Sequence, residues 1–343
     1  MRDPVYLKHR TGEFHPESHL RLEALYELLD EPEMLSLYDP LEPRKATRKE
    51  IEYVHSPDYY DTVKATSSRD VTYLDPDTAT SRHSFEAALY AAGGVLAGID
   101  LLLSDSKERV FALVRPPGHH AEKERGMGFC IFNNVAVGAA YAMERYSIRR
   151  VLIVDWDLHH GNGTQRSFYT DPRVLYFSTH QYPYYPGSGA AEETGHGEGE
   201  GYTVNVPLAP GMGDEEYCFI FEKILLPIAQ MYKPQLLLVS AGFDAYHDDP
   251  LGGMRLTSSG FKRLTEVLKS IAESHADGKL LLALEGGYDL NGLRDCVKSV
   301  VESLSDVKTA STSHSGKQAA VHGQYERYIE NVLSVQRRYW SCF

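Results

Sequence analysis

Cysteine is scarce. The 343 residues hold four, Cys130, Cys218, Cys296 and Cys342, far apart and with no C-x-x-C pair. That argues against both a disulfide framework and a cysteine zinc site. Clustered basic residues are missing too: 35 Lys and Arg against 48 Asp and Glu give a formal charge of −13. With no basic footprint for phosphates, a direct nucleic-acid partner is not expected. Long apolar runs are also lacking. The weakly apolar "AALYAAGGVLAGI" is shorter than the roughly 20 residues that a membrane span needs, so no membrane association is read. The opening "MRDPVYLKHRTG" has no signal-peptide core, and a soluble cytoplasmic protein is the expectation.

Short apolar runs are present. "VFALV" (110–114), "VLIVD" (151–155), "VLYFST" (174–179), "LLLVS" (236–240) and "LLLAL" (280–284) are too short for helices. Nearly apolar throughout, they have the pattern of parallel strands buried on both faces. Between them lie helix-like stretches, "NNVAVGAAYAMERY" (133–146) and "SSGFKRLTEVLKSIAESHA" (258–276), the latter with Thr257 and Ser258 as N-cap candidates. The alternation predicts an α/β fold around a mainly parallel sheet. With 42% hydrophobic residues, the chain can fill one large core or two ordinary ones.

The strand ends carry the chemistry. "VFALV" runs into "RPPGHHAE", "VLIVD" into "WDLHHGNG", "LLLVS" into "AGFDAYHDD" and "LLLAL" into "EGGYDL". Ligands of open α/β sheets bind outside the carboxyl ends of strands, so these groups converge. Asp157 and His159 share a strand face with Asp155, while His160 points away. With Asp244 they make two carboxylates and one imidazole, enough to neutralise a divalent ion and leave a position open. His119 and His120 suit general acid–base work, with Asp155 and Asn162 as orienting partners. Tyr288, on a Gly-Gly turn, can donate to a carbonyl becoming an oxyanion. Each signal alone is weak: D-x-H is common at strand ends, "HH" suits a solvated turn, and 23 tyrosines leave room for a core role. Their coincidence favours a site.

The blocks "RPPGHHAEKERGMGFCIFNN", "VDWDLHHGNGTQ", "YYPGSG", "SAGFDAYHDDPLGG" and "LEGGYDL" resemble the zinc-dependent histone deacetylase and acetylpolyamine amidohydrolase family. The resemblance implies the arginase/deacetylase fold, with a sheet of about eight strands in one domain. It runs from "HRTGEFHPESHLRL" to about residue 304, giving a catalytic domain at 1–304, a polar linker at 305–324 and a C-terminal amphipathic helix at 325–343. Tyr325, Tyr328, Ile329, Val332 and Leu333 carry that helix's periodicity.

The resemblance further implies zinc held by Asp157, His159 and Asp244, with His120 as proton shuttle and His119 as its electrostatic partner. Tyr288 polarises the carbonyl, and Asp155 and Asn162 back the histidines. Gly128, Phe129 and Tyr185 line an acyl-lysine tunnel, with Tyr185 where phenylalanine is often found. Arg21 matches an arginine of an inner acetate channel. A potassium ion is implied at Asp155, Asp157, His159 and Ser178, and a second at Phe168, Asp171, Val174 and Tyr202. Asn162, where class I members carry aspartate, points to the class II-like branch, and an amide should stabilise imidazolium less.

Leu251 stands where polyamine-selective relatives carry an acid. The expected reaction is therefore deacylation of lysine in peptides or proteins, with an acetylpolyamine or other small amide as the alternative. Glu192, Glu193, Glu198 and Glu200, read as a flexible solvated loop, offer another cation partner. A non-catalytic acyl-lysine reader and a two-metal ureohydrolase fit less well. A homo-oligomer is compatible with the resemblance.

Overall fold

The computed structural model describes residues 1–104, 109–305 and 329–343. Its centre is a six-stranded parallel sheet in the order β3-β8-β7-β4-β5-β6. The strands are β3 (Arg109–Ala112), β4 (Val151–Asp155), β5 (Val174–Gln181), β6 (Thr203–Leu208), β7 (Leu236–Ala241) and β8 (Leu280–Leu284). All five apolar runs lie on these strands. The expected count of about eight is met only by adding β1 (Val71–Tyr73) and β2 (Ala79–Ser81), which form a separate antiparallel pair. The sequence reading missed β6 because Asn205 and Pro207 interrupt its apolar pattern.

Helices cover both faces, which is why β4, β5, β7 and β8 are buried at every position. Asn133 caps the helix Asn134–Tyr146 by accepting from Ala136 N, and Thr257 caps Ser258–His275 by accepting from Gly260 N. The weakly apolar run is longer than it looked, forming the 19-residue helix Ser84–Leu102. By length and composition that helix could cross a membrane, yet most of it is buried against the protein's own core. Gly93 lets it press on Arg44 and Ala46, where any side chain would collide with backbone.

Register fixes which strand ends meet. Asp155 on β4 pairs with Ser240 on β7 and Ser178 on β5, and Ala241 pairs with Leu284 on β8. The loops after β4, β7 and β8 therefore leave the sheet side by side, and the "PPGHH" loop after β3 joins them from the sheet's edge.

The C-terminal segment packs on the same body. Residues 329–336 are helical, and Ile329, Val332 and Trp340 are buried within the core. Trp340 Nε1 donates to Gly201 O at 3.1 Å, and its ring lies 5.9 Å from that of Tyr202. The linker beyond Ser305 and Tyr325 and Tyr328 of the expected helix lie outside the described residues.

Candidate active site

Asp157 and His159 follow β4, and Asp244 follows β7; ligand atoms from the three lie within 4.8 Å of one another. His159 Nδ1 sits 3.2 Å from Asp157 Oδ1 and 3.0 Å from Asp244 Oδ2. Backbone amides hold the carboxylates in place: Gly286 N donates to Asp157 Oδ2 at 2.9 Å and Leu158 N to Asp244 Oδ1 at 2.9 Å. Gly242 and Gly286 permit this approach, since a Cβ on either would strike the carboxylates.

The electrostatics show a shortage of positive charge. Burial pushes the Asp157 carboxyl up, but the charges of His119 and His159 outweigh it and hold it low. Asp244, buried beside the Asp157 charge, is pushed up to about 7. Burial lowers His159, yet hydrogen bonds to Asp157 and Asp244 carry it to about 9. Two buried carboxylates thus compete for one imidazole proton. A dication fits this donor set in charge and in ligand type.

The histidine pair stands beside it on the loop after β3, ring centroids 4.0 Å apart. His119 Nδ1 meets Asp155 Oδ2 at 3.1 Å; His120 Nδ1 meets Asn162 Oδ1 at 2.8 Å. The partners set opposite characters. Burial disfavours the charged His119, but Asp157 and Asp155 hold it well above the ordinary histidine range. Burial and the neighbouring His119 and His159 keep His120 well below it. His160, as expected from strand alternation, points elsewhere, to Ser188 and Gln165.

His119, His120 and His159 line a cavity of about 90 Å³. Gly128, Phe129, Tyr185, Leu251 and Tyr288 all line it. The Tyr185 ring is 5.1 Å from His120, and its buried hydroxyl has no hydrogen-bond partner among the described residues. Gly128 has φ +57°, and a Cβ there would strike His120 and crowd Tyr185. Phe129, at φ 67°, keeps the same left-handed backbone without glycine's freedom, a strained conformation at the cavity wall. Tyr288 packs edge-on to Phe129 at 5.9 Å and over the Arg21 guanidinium at 5.0 Å. Burial, then the Asp244 charge, raise its phenol well above the usual range, so it remains a donor.

Residues that the sequence reading missed hold this frame. Asp249 Oδ2 accepts from Tyr288 N at 2.6 Å and Asp289 N at 3.2 Å, while its Oδ1 accepts from Leu251 N at 2.9 Å. Asp77 lines the cavity and accepts from Gly128 N at 3.1 Å. Glu17 lies fully buried between Arg115 and Arg21, and Arg21 also donates to the carbonyls of Gly287 and Glu285, both at 2.6 Å. Glu285 forms a second donor group with His119 and Cys130. There burial pushes the Cys130 thiol well above its ordinary range, which makes it a poor ligand.

The residues named for potassium fall into two places. Asp155 and Ser178 are register partners beside the first carboxylates, although Ser178 Oγ already pairs with His180 Nδ1 at 2.9 Å. Phe168, Asp171 and Val174 form the turn before β5, where Asp171 N donates to Phe168 O at 3.0 Å and the Asp171 carboxylate binds Arg173. Tyr202 precedes β6 and its carbonyl accepts from Tyr176 N at 2.9 Å.

In the acidic loop Glu192, Glu198 and Glu200 are exposed, as read, and Glu193 departs from that reading. Glu193 turns inward to accept from Gly189 N, Ala190 N and Gln165 Nε2. Glu192 and Glu200 hold the C-terminal segment through Asn331 and Tyr339.

The histone deacetylase domain profile matches residues 15–304. The chain belongs to the histone deacetylase family. It is 37% identical to a "probable deacetylase" of Archaeoglobus fulgidus, covering 98% of this chain and 97% of that protein. It is 40% identical to human histone deacetylase 9 over 88% of this chain, but spans only 33% of that longer protein. The crystal structure of the HDA15 HD domain superimposes with a TM-score of 0.90 at 36% identity, covering 99% of this chain and 96% of that one. The fold is therefore that of a deacetylase-family hydrolase, in one domain.

Proposed function

We propose that the chain is a zinc-dependent amidohydrolase that removes acetyl or related acyl groups from lysine side chains of peptides or proteins. The reading is supported by a cavity lined by Phe129, Tyr185 and Leu251 together with His119, His120 and His159, the last of which belongs to the Asp157–His159–Asp244 donor group. An unbranched acyl-lysine stem suits such walls. Potassium at the two backbone-rich sites is proposed as structural support.

Asp157, His159 and Asp244 would hold the zinc, which supplies a Lewis acid for the acyl carbonyl and eases deprotonation of water. His120, neutral because it is buried beside charged neighbours, accepts the proton of the attacking water and later delivers it to the leaving amine. His119, kept charged by Asp155 and Asp157, offsets the negative charge that develops in the tetrahedral intermediate. Tyr288 donates its hydroxyl proton in a hydrogen bond to the carbonyl oxygen as that oxygen becomes anionic.

A second reading, acetylpolyamine hydrolysis, is favoured by one observation: the Asp77 carboxylate lines the same cavity and can meet a distal ammonium. The test is kcat/KM of the zinc-loaded protein on an acetyl-lysine peptide and an N-acetylated polyamine. Preference for the peptide upholds the proposal, and preference for the polyamine transfers the role to Asp77. Silence on both with zinc bound overturns the substrate class.

A further inference from the structure

His120 lacks a direct carboxylate partner, yet a carboxylate stands one amide behind it. Asn162 accepts from His120 Nδ1 through Oδ1 at 2.8 Å, and its Nδ2 donates to Glu122 Oε1 at 2.6 Å. The other Glu122 oxygen accepts from Arg166 at 2.8 Å. Resting on the proposed reaction, we infer that Glu122 is a positioning residue: it fixes the Asn162 amide, and through it the His120 tautomer that leaves Nε2 free to take a proton.

An asparagine amide can present either end to an imidazole. With oxygen facing Nδ1, that nitrogen must carry the hydrogen and Nε2 is a base. With nitrogen facing Nδ1, the tautomer inverts and Nε2 is already protonated. Asn162 by itself does not choose between them, and the His120 carbonyl, 3.5 Å from Nδ2, is the weaker of its two oxygen acceptors. Glu122 chooses, because an ionised carboxylate only accepts. Turning the amide over would set the Asn162 oxygen against the Glu122 carboxylate and its amino group against an Nδ1–H. The His120–Asn162 contact is buried and the Asn162–Glu122 contact partly so, which leaves water little access to repair either loss.

Glu122 is itself well placed for this work. Its side chain is 13% exposed, and its backbone is pinned by His55 Nδ1 at 2.9 Å on its carbonyl and by a mutual pairing with Arg125. The pair of histidines is thus backed in two ways. His119 has its carboxylate directly and is kept charged. His120 has its carboxylate at one remove and is oriented while staying neutral.

The chemistry predicts a swap. In Asn162→Asp, a carboxylate would face the Glu122 carboxylate across a contact now made at 2.6 Å, and activity should fall. In Glu122→Gln the amide is free to turn over, and kcat should fall roughly 10-fold with KM little changed. The Asn162→Asp/Glu122→Gln double variant puts the carboxylate on His120 and the amide behind it, and should recover most of the loss of either single variant.

The deciding measurement does not depend on turnover: histidine-selective nitrogen NMR of the His120 tautomer in the full chain. Wild type should show Nδ1–H alone, and Glu122→Gln a mixture. Arg166→Met, which removes only the outer ion pair, should keep the wild-type tautomer. An unchanged tautomer in Glu122→Gln, the same mixture in Arg166→Met, or no recovery in the double variant would each overturn the inference. If wild type hydrolyses no amide, the functional reading fails, while the tautomer result still decides the role of Glu122.

Discussion

Asp249 and Tyr288 are joined through a single short contact, the Tyr288 amide donating to Asp249 Oδ2 at 2.6 Å. The same carboxylate takes Leu251 N at 2.9 Å on its other oxygen. One buried acid thereby holds the backbone of both Leu251 and Tyr288, two residues that line the cavity. Asp249→Asn conserves size but puts an N–H2 group against one of these amides. We expect kcat to fall about 10–100-fold with a smaller change in KM, because the phenol serves the transition state more than the ground state. Equal losses in kcat and in substrate affinity would contradict this.

Asp157 serves His159, Gly286 N and the donor cluster together. Asp157→Ala should abolish stoichiometric zinc binding, measured by elemental analysis after dialysis, and with it hydrolysis. Undiminished activity in a metal-free Asp157→Ala protein would break the proposed scheme.

Leu251 is half-buried at the tunnel and carries no charge to meet an ammonium. Leu251→Glu should shift the ratio of kcat/KM values toward N-acetylated polyamine over acetyl-lysine peptide by roughly 10-fold, the scale expected for one added charge pair. No shift would show that the second ammonium, if bound at all, lies elsewhere.

Glu17 sits fully buried under Arg115, Arg21 and His9. Burial pushes its carboxyl up, but Arg115 and the hydrogen bonds from His9 and Arg115 hold it well below the ordinary range. A depressed folded value means that its stabilisation is complete above the unfolded value, about 4.3, and is lost as pH falls below it. Glu17→Ala, which strands two buried guanidinium groups, should cost about 3–5 kcal/mol near neutral pH. Its Tm should also fall less steeply than that of wild type on acidification. A parallel acid limb in both proteins would remove Glu17 from the account.

What could be read in the sequence depended on how locally each residue declares itself. β8 is apolar throughout, and β4 and β7 each carry one polar residue at or next to the end, Asp155 and Ser240; burial on both faces is the reason. Asp157, His159 and Asp244 were legible because strand ends gather at one edge. Asp249, Asp77, Glu17 and Glu122 were not, since each acts on partners from distant segments and a lone acid reads as a solvated surface charge. Glu122 lies two residues beyond the histidine pair, yet only the fold shows that its partner is Asn162, forty residues on. The helix Ser84–Leu102 was underread because glycine and alanine dilute its apolar face, although those small side chains are what allow its close packing.

The docking of Trp340 changes where the folding unit ends. The family match stops at residue 304, but the ring that covers Tyr202 and Tyr232 arrives 36 positions later. A protein cut at the family boundary would bare those tyrosines and release Glu192 and Glu200 from Asn331 and Tyr339. Such a fragment would have every residue of the reaction and a sticky flank, so its failure in solution would say nothing about its chemistry.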